Sequence, residues 1–215
     1  MADLNYQALY QTQDKILKAI FEITNEFYLT GGTCLNRFYY EKRYSDDLDF
    51  FTNNSDFFRQ SINAIFDALR ESDFDFSKTV DGKDFVRFVV TEHDQPLQID
   101  FVNDRVKRIG LPAQKNGCIV DTIDNILSNK ITAVLGRDEP KDVFDIYMIA
   151  SFEEIDWTKI LDFARQKVTF QKEDLLYRLD TFPKRLLGKI KLIDDSFLDA
   201  FDDKYPQIIE SIKNA

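Results

Sequence analysis

Apolar side chains recur at helical spacing early in the chain and again before its middle. In residues 11–27 this spacing gives a helix one apolar face, formed by Ile16, Leu17, Ile20, Phe21 and Ile23. Residues 55–70 repeat the pattern, and Ser55 stands at the position of an N-cap. The pattern therefore predicts two amphipathic helices, each of which needs an apolar surface to cover.

Alternating apolar and polar positions predict four strands in the first half of the chain. These strands cover residues 45–51, 74–80, 84–91 and 96–102. Asp81-Gly82 is a hairpin signal, and the polar run that starts at His93 predicts the next turn. The last three strands are therefore expected to follow one another through short turns.

Two adjacent glycines interrupt the chain between the first helix and the first of these strands. Gly31 and Gly32 follow the short apolar run FYLT and predict a tight turn. Thr33 is placed to cap a short helix over residues 34–40.

From about residue 121 the periodicity becomes helical throughout. Asp121 or Thr122 starts a helix that runs to Leu135, and Pro140 opens another over 141–151. Further helices are predicted at 156–168, 172–180 and 196–214. The expected fold is α+β: a mixed sheet with flanking helices over residues 1–120, and a helical region, 121–215, packed on that core.

Composition supports a globular protein and excludes several classes. Of the 215 residues, 44% are hydrophobic and 31% are charged, and 20 are Phe, which is ample for a core. No apolar run approaches the roughly 20 residues of a membrane span, and the N-terminal segment lacks a signal-peptide pattern. Two cysteines exclude a disulfide scaffold, so we expect a cytoplasmic protein without membrane association.

The net charge and the histidine content of the chain exclude further kinds of functional site. The formal net charge is −10, which opposes nucleic-acid binding by the chain as a whole. The basic stretch Arg105-Val106-Lys107-Arg108 is the best candidate for a local nucleic-acid contact, although it is equally compatible with a solvated loop. His93 is the single histidine, which excludes zinc sites built on several histidines.

Three acidic residues on predicted strands are the strongest candidates for chemistry. Asp47 and Asp49 are two positions apart on a strand, so their carboxylates point to the same face. Two such carboxylates repel each other unless a cation lies between them, and Mg²⁺ prefers oxygen ligands of this kind. If the strand at 96–102 lies beside the one at 45–51, Asp100 completes a three-carboxylate metal site.

The glycine turn adds a place for phosphate. Glycines let backbone N–H groups approach a phosphate closely, and the helix start that follows offers its positive end. Taken singly, the D-x-D pair is also compatible with a solvated turn, the Gly-Gly-Thr segment with a simple turn, and Asp100 with an acid on a solvent face. Their order along the chain, a glycine turn, a short helix and a D-x-D strand, favours a nucleotidyltransferase site.

The same residues resemble a known family. The first block resembles the GGT…R-x-S-x-D-(L/I)-D-F signature of the AbiEii/AbiGii toxins, through Gly31, Gly32, Thr33, Arg43, Ser45, Asp47, Asp49 and Phe50. A second block, Lys130-x-x-Ala133-x-x-x-Arg137 followed by Lys141-Asp142-x-x-Asp145, is similar to a later segment of the same family. The two blocks cover about residues 25–150. The resemblance implies a nucleotidyltransferase fold related to DNA polymerase beta.

The resemblance also implies roles for individual residues. Asp47, Asp49 and Asp100 would be metal ligands and catalytic acids, with Asp100 assisting deprotonation of the acceptor. Gly31, Gly32 and Thr33 would hold the triphosphate. Lys130 would reach a phosphate, and Asp142 would have a catalytic or orienting role. Arg43 and Ser45 would support the D-x-D strand.

Alternatives remain open in the second block. Lys130 is also compatible with a surface lysine whose stem packs along its helix. Asp145 is compatible with a role similar to that of Asp142 and equally with a salt bridge to Arg137. Arg137 and Asp142 are also compatible with an ion pair that connects two helices.

By resemblance, the protein would use Mg²⁺ to move NMP from an NTP onto tRNA or a protein hydroxyl. It would act as the toxin of a bacterial toxin–antitoxin or phage-defence pair, with a separate antitoxin protein. The alternative is a catalytically silent nucleotide-binding module with a regulatory role. The presence of Asp47, Asp49, Asp100 and Lys130 together favours the enzyme.

Overall fold

The computed structural model describes residues 4–72 and 74–215. These form two compact units. The first contains the described residues of 1–34, 45–106 and 111–121, and the second contains 35–44, 107–110 and 122–215. The division expected from the sequence, 1–120 and 121–215, differs from this one because two short segments of the first half belong to the helical unit.

A mixed sheet organises the first unit. In the described residues it has seven strands, in the order β3-β4-β5-β2-β1-β7-β6. Their bounds are β1 Tyr28–Thr30, β2 Asp47–Asn53, β3 Asp75–Asp81, β4 Phe85–Glu92, β5 Gln95–Asp104, β6 Ala113–Lys115 and β7 Cys118–Val120. The four predicted strands are present as β2 to β5, whereas the three-residue strands β1, β6 and β7 are too short for a periodic signal.

The expected hairpins are present in β3 to β5. The β3 and β4 strands pair antiparallel around Asp81-Gly82, and β4 pairs antiparallel with β5. His93 and Asp94 form the second turn with φ of 53° and 59°, the left-handed conformation that a tight hairpin requires. In contrast, β5 pairs parallel with β2. This pairing brings the predicted D-x-D strand beside the strand that carries Asp100.

Two long helices accompany the sheet in the described part of the first unit. Helix α1 covers Tyr6–Ile23, and helix α3 covers Phe58–Arg70, beginning three residues after the predicted start. The buried core includes stacked and edge-on aromatic rings, with Phe101 lying 5.0 Å from Phe27 and 5.1 Å from Phe50 between centroids. Each such ring contributes about 1.5–3 kcal/mol by leaving water, which explains the heavy use of Phe.

The second unit is helical, as expected. Its helices are α4 Ile123–Gly136, α5 Pro140–Phe152, α6 Trp157–Lys167, α7 Lys172–Asp180 and α8 Phe201–Asn214, with short 3-10 helices at Lys184–Lys189 and Asp195–Leu198. Thr122 caps α4 by accepting from the Asn125 amide, and Pro140 occupies the first turn of α5. Among the helices of the described residues, none has the length and apolar character needed to cross a membrane.

The glycine segment differs from the prediction. The chain enters helix α2, Gly31–Leu35, directly from β1, and a π-helical turn, Asn36–Tyr40, follows. Thr33 therefore lies inside a helix, and its expected role as an N-cap is wrong. Gly31 makes the abrupt strand-to-helix change with a φ of 70°, which a residue with a Cβ adopts only under strain.

Candidate functional site

Strand β2 presents two carboxylates on one face. Leu48 and Phe50 are fully buried, while Asp47 and Asp49 alternate with them and stay partly exposed. This is the pattern of a strand with one face in the core. The expected shared face for the two aspartates is therefore present.

Asp100 lies directly beside them on β5. The parallel register pairs Asp49 with Asp100 and Asp47 with Gln98. Asp100 is 8% exposed, so it is not an acid on a solvent face. The sheet thus brings the three acids predicted from the sequence onto adjacent positions of two neighbouring strands.

An arginine that sequence reasoning missed holds Asp100. Arg87 lies opposite Asp100 in the antiparallel register of β4 and β5. Its Nε and Nη2 atoms donate to the two carboxylate oxygens at 2.7 Å each, and Gln98 Nε2 donates at 3.2 Å. The hydrogen-bonded Asp100 raises the pKa of Arg87, and the charges of Asp49 and Asp47 act in the same direction.

Gly31 lies against Asp49. A Cβ on Gly31 would stand 2.5 Å from Asp49 Oδ2, well inside van der Waals contact. The bare backbone of residue 31 is thus what allows the carboxylate to occupy its position.

Thr33 supports β2 from the same helix. Its side chain is fully buried, and its hydroxyl donates to the backbone carbonyl of Asp47. The Thr33 hydroxyl is therefore engaged in bracing the strand that carries the two aspartates.

The donor set suits a divalent cation, but the three acids do not converge as they stand. Within residues 4–72 and 74–215, no three or more His, Cys, Asp or Glu side chains are grouped closely enough to hold a metal. Asp47 and Asp49 offer carboxylate oxygens on one face, which fits Mg²⁺. Asp100 faces Arg87 with both of its oxygens, so this acid is already paired with a cation of the protein. The three-carboxylate metal site stays a prediction.

The second unit contains a separate cluster of buried charges. Lys130 Nζ lies 2.8 Å from Asp142 Oδ1 and 2.7 Å from Asp145 Oδ2, and its side chain is 10% exposed. Burial by itself would lower the pKa of Lys130, but the charges of Asp145 and Asp142 outweigh it and raise this pKa. The alternative of a surface lysine is therefore wrong.

Two arginines complete this cluster. Arg43 forms a fork on Asp145, with Nε and Nη2 each 2.8 Å from a carboxylate oxygen, and it is 2% exposed. Arg137 Nε donates to Asp142 Oδ2 at 2.7 Å, which confirms the ion pair between these two residues. The alternative bridge between Arg137 and Asp145 is wrong, because Asp145 pairs with Arg43 and Lys130 instead.

The cations keep both aspartates of the cluster ionised. Burial would raise the pKa of Asp145, but Arg43 and Lys130 lower it below its usual value. Burial likewise opposes ionisation of Asp142, whose pKa Lys130 and Arg137 lower. The result is a charged network of two acids and three bases that is buried at Arg43, Lys130 and both acids and open to solvent at Arg137, whose side chain is 61% exposed.

The basic stretch at 105–108 is partly engaged in local contacts. Arg105 Nη2 lies 2.8 Å from Asp84 Oδ2, and Arg108 donates to the Gly110 carbonyl. Lys107 is exposed. A nucleic-acid contact by this stretch stays a prediction.

The sequence contains only a weak signal for the role of Arg87. Arg87 interrupts the apolar run DFVRFVVT at an alternating position, where a charged residue on a central strand needs a partner. The partner lies on another strand, so no local spacing rule identifies it.

Comparison with known proteins identifies the family. A family model described as nucleotidyl transferase AbiEii toxin, type IV toxin–antitoxin system, matches residues 15–213. An uncharacterized protein of Aquifex aeolicus strain VF5, aq_aa25, is 27% identical over 135 residues, and the match spans 59% of each chain.

Solved structures share the fold at low identity. The MenT4 nucleotidyltransferase toxin of Mycobacterium tuberculosis H37Rv has a TM-score of 0.70 and 16% identity, with 98% of this chain and 84% of that chain covered. JHP933 of Helicobacter pylori has a TM-score of 0.56 and 21% identity, with 98% and 89% covered. The mixed-sheet nucleotidyltransferase fold expected from the sequence is thereby confirmed. The family model covers nearly the whole chain, and this protein belongs to the AbiEii family of nucleotidyl transferase toxins.

Proposed function

We propose that this protein is an Mg²⁺-dependent nucleotidyltransferase that moves NMP from an NTP to the hydroxyl of a tRNA or of a protein. The observation that carries the proposal is the parallel register of β2 and β5, with Asp49 beside Asp100 and Asp47 on the same face. Three acids on two adjacent strands offer the oxygen ligands that metal-assisted phosphoryl transfer uses.

The proposed reaction breaks one bond and forms one. The acceptor oxygen bonds to the α-phosphorus, the bond between the α-phosphorus and its bridging oxygen breaks, and pyrophosphate leaves. Bound Mg²⁺ would supply charge stabilisation for the phosphate oxygens. Asp47, Asp49 and Asp100 would hold the ion, and Asp100 would also accept the proton of the acceptor hydroxyl at a carboxylate oxygen.

The glycine segment is proposed to hold the triphosphate. Gly31 already accommodates the Asp49 carboxylate at close range, and the neighbouring Gly32 and Thr33 contribute backbone N–H groups. The Thr33 side chain keeps its structural contact with Asp47 in this proposal.

We include Lys130 and Asp142 in the proposed site because they match the second motif of the family. Lys130 would bind a phosphate oxygen, since an ammonium has three donors and the two ion pairs use two of them. Asp142 would orient Lys130 through the 2.8 Å contact between them.

The biological role proposed is that of a toxin in a bacterial toxin–antitoxin or phage-defence system, with its antitoxin a separate protein. Membership in the family supports this role. We place the protein in the cytoplasm, where its two buried cysteines would stay reduced.

Label transfer tests the proposal. The protein is incubated with Mg²⁺, each α-labelled NTP in turn and total bacterial RNA, and Asp47→Asn is run alongside with Asp75→Asn as control. Asp75 is an exposed acid at the start of β3, so its removal changes the charge equally. We expect label on an RNA or protein band with the wild type and the control, and none with Asp47→Asn.

Absence of label with every NTP would contradict the transferase. If Mg²⁺-dependent NTP binding persisted in that case, as measured by thermal shift, the catalytically silent nucleotide-binding module would replace it. Equal labelling by Asp47→Asn and the wild type would overturn the site assignment.

A further inference from the structure

Arg87 and Asp100 form the tightest charged contact of the candidate site. Both carboxylate oxygens of Asp100 accept from the guanidinium at 2.7 Å, and Gln98 donates to one of them as well. The Asp100 side chain is 11% exposed, so water offers it little alternative. The acid expected to bind metal is thus already neutralised by a cation of the protein.

The Arg87 guanidinium also interacts electrostatically with the other two acids. Asp49 and Asp47 act on Arg87 through their charge, in the same sense as Asp100. Arg87 is therefore a positive charge that this face of the sheet sets against the three negative ones.

The surroundings of Arg87 allow it to leave. Its side chain is 34% exposed, and besides its fork on Asp100 it lies over the Phe85 ring at 5.4 Å. A long side chain with a third of its surface in water turns toward solvent when another cation takes its place at Asp100.

We propose that Arg87 is a positioning residue that occupies Asp100 in the absence of metal and competes with the divalent cation for it. The inference rests on the proposed function, because it takes Asp47, Asp49 and Asp100 as the metal ligands. It explains why the three acids do not converge as they stand. Binding of the cation at Asp100 then requires the Arg87 fork to open, which weakens the observed affinity for the metal.

A role for Arg87 as a permanent support of Asp100 predicts the opposite change in metal affinity. If Arg87 held Asp100 in place while the metal used the remaining lone pairs, removal of the arginine would weaken metal binding. The sign of the change in affinity therefore separates the two roles.

The test is Mn²⁺ binding to the protein without nucleotide, measured from the electron paramagnetic resonance signal of the free ion. We compare the wild type with Arg87→Gln and Arg87→Lys, and with Arg59→Gln as control. Arg59 pairs with Asp81 at 2.7 Å on a partly exposed part of the same unit. We expect Arg87→Gln to bind Mn²⁺ about three- to tenfold more tightly and Arg59→Gln to match the wild type. Arg87→Lys keeps the charge but loses the fork, so its affinity should lie between those of the wild type and Arg87→Gln.

Two further variants, Asp100→Asn alone and combined with Arg87→Gln, test whether the change in Mn²⁺ affinity depends on Asp100. Arg87→Gln combined with Asp100→Asn should bind Mn²⁺ as Asp100→Asn does, because the competition runs through Asp100. Unchanged or weaker binding by Arg87→Gln would overturn the inference. If Asp47→Asn and Asp49→Asn left Mn²⁺ affinity unchanged in the wild-type background, the metal site of the proposed function would fail instead.

Discussion

The carboxylate of Asp49 occupies the space that a side chain on Gly31 would need. The Cβ position of residue 31 is 2.5 Å from Asp49 Oδ2, and Gly31 also has a φ of 70°. Glycine is thus required at position 31 for two reasons: the backbone has a positive φ, and a Cβ would collide with the Asp49 carboxylate.

Gly31→Ala should therefore weaken metal binding in addition to destabilising the fold. The positive φ costs about 1–2 kcal/mol for a residue with a Cβ. The displaced Asp49 should lower Mn²⁺ affinity by about tenfold or more, as loss of a ligand's support does. Urea unfolding and Mn²⁺ titration measure the two effects.

Gly117→Ala is the matched control. Gly117 has a φ of 78°, but no atom lies within 4 Å of its Cβ position. It should lose similar stability and keep its Mn²⁺ affinity. Equal Mn²⁺ affinity in both variants would mean that the contact between Gly31 and Asp49 does not matter to the site.

Asp145→Asn should be severely destabilising. Asp145 is fully buried and accepts the Arg43 fork at 2.8 Å together with Lys130 at 2.7 Å. Removal of its charge breaks the buried fork with Arg43, and breaking a buried pair in this way costs about 3–5 kcal/mol. Urea unfolding at pH 7 measures the loss.

An exposed ion pair provides the comparison for this loss. Asp162 contacts Arg165 at 3.1 Å, and 62% of its side chain is exposed. Asp162→Asn should change the free energy of unfolding by about 0–1 kcal/mol. Similar losses in the two variants would show that burial does not set the strength of the network.

The same cluster predicts how stability depends on pH. The cations hold the pKa of Asp142 and Asp145 below the ordinary value of 3.8, so the folded state binds fewer protons than the unfolded state as pH falls. Their contribution is complete above this value and is lost as pH drops through the lower pKa of the folded state. Lys130 has a raised pKa, so its contribution is present below its ordinary value of 10.5 and is lost above it.

We therefore expect the free energy of unfolding contributed by the cluster to be constant between about pH 5 and pH 10 and to fall below about pH 4. Asp145→Asn should show a shallower decline below pH 4 than the wild type, since one of the two acids is missing. Urea unfolding across this range measures both slopes. Parallel curves for the two proteins would be the contrary result.

The sequence predicts local relationships in this fold well. The alternation around Asp47 and Asp49 is a property of consecutive residues, and so is the hairpin at Asp81-Gly82. The ion pair of Arg137 with Asp142 joins residues five positions apart, within reach of a spacing argument. The sequence predicts the adjacency of β2 and β5 only conditionally, because parallel pairing depends on the whole sheet order.

Long-range charge pairing was beyond sequence reasoning. Arg43 and Asp145 are 102 positions apart, and many other acids compete for the same arginine in a sequence with 38 Asp and Glu residues. Arg87 likewise meets Asp100 only because the β4–β5 register sets them opposite each other. Such partners follow from tertiary packing, which periodicity does not encode.

Thr33→Val tests whether helix α2 positions the aspartates of β2. The Thr33 hydroxyl donates to the Asp47 carbonyl from a fully buried side chain, and valine has nearly the same shape. Loss of a buried donor costs about 1–3 kcal/mol, and the loosened strand should also bind Mn²⁺ more weakly. Thr181→Val is the control, because the Thr181 hydroxyl donates to the Tyr177 carbonyl at 2.7 Å on the exposed surface. Its loss should change the free energy of unfolding by about 0.5 kcal/mol or less. If the two variants matched in stability and in Mn²⁺ affinity, the Thr33 contact would be incidental, and the position of Asp47 would depend on the sheet alone.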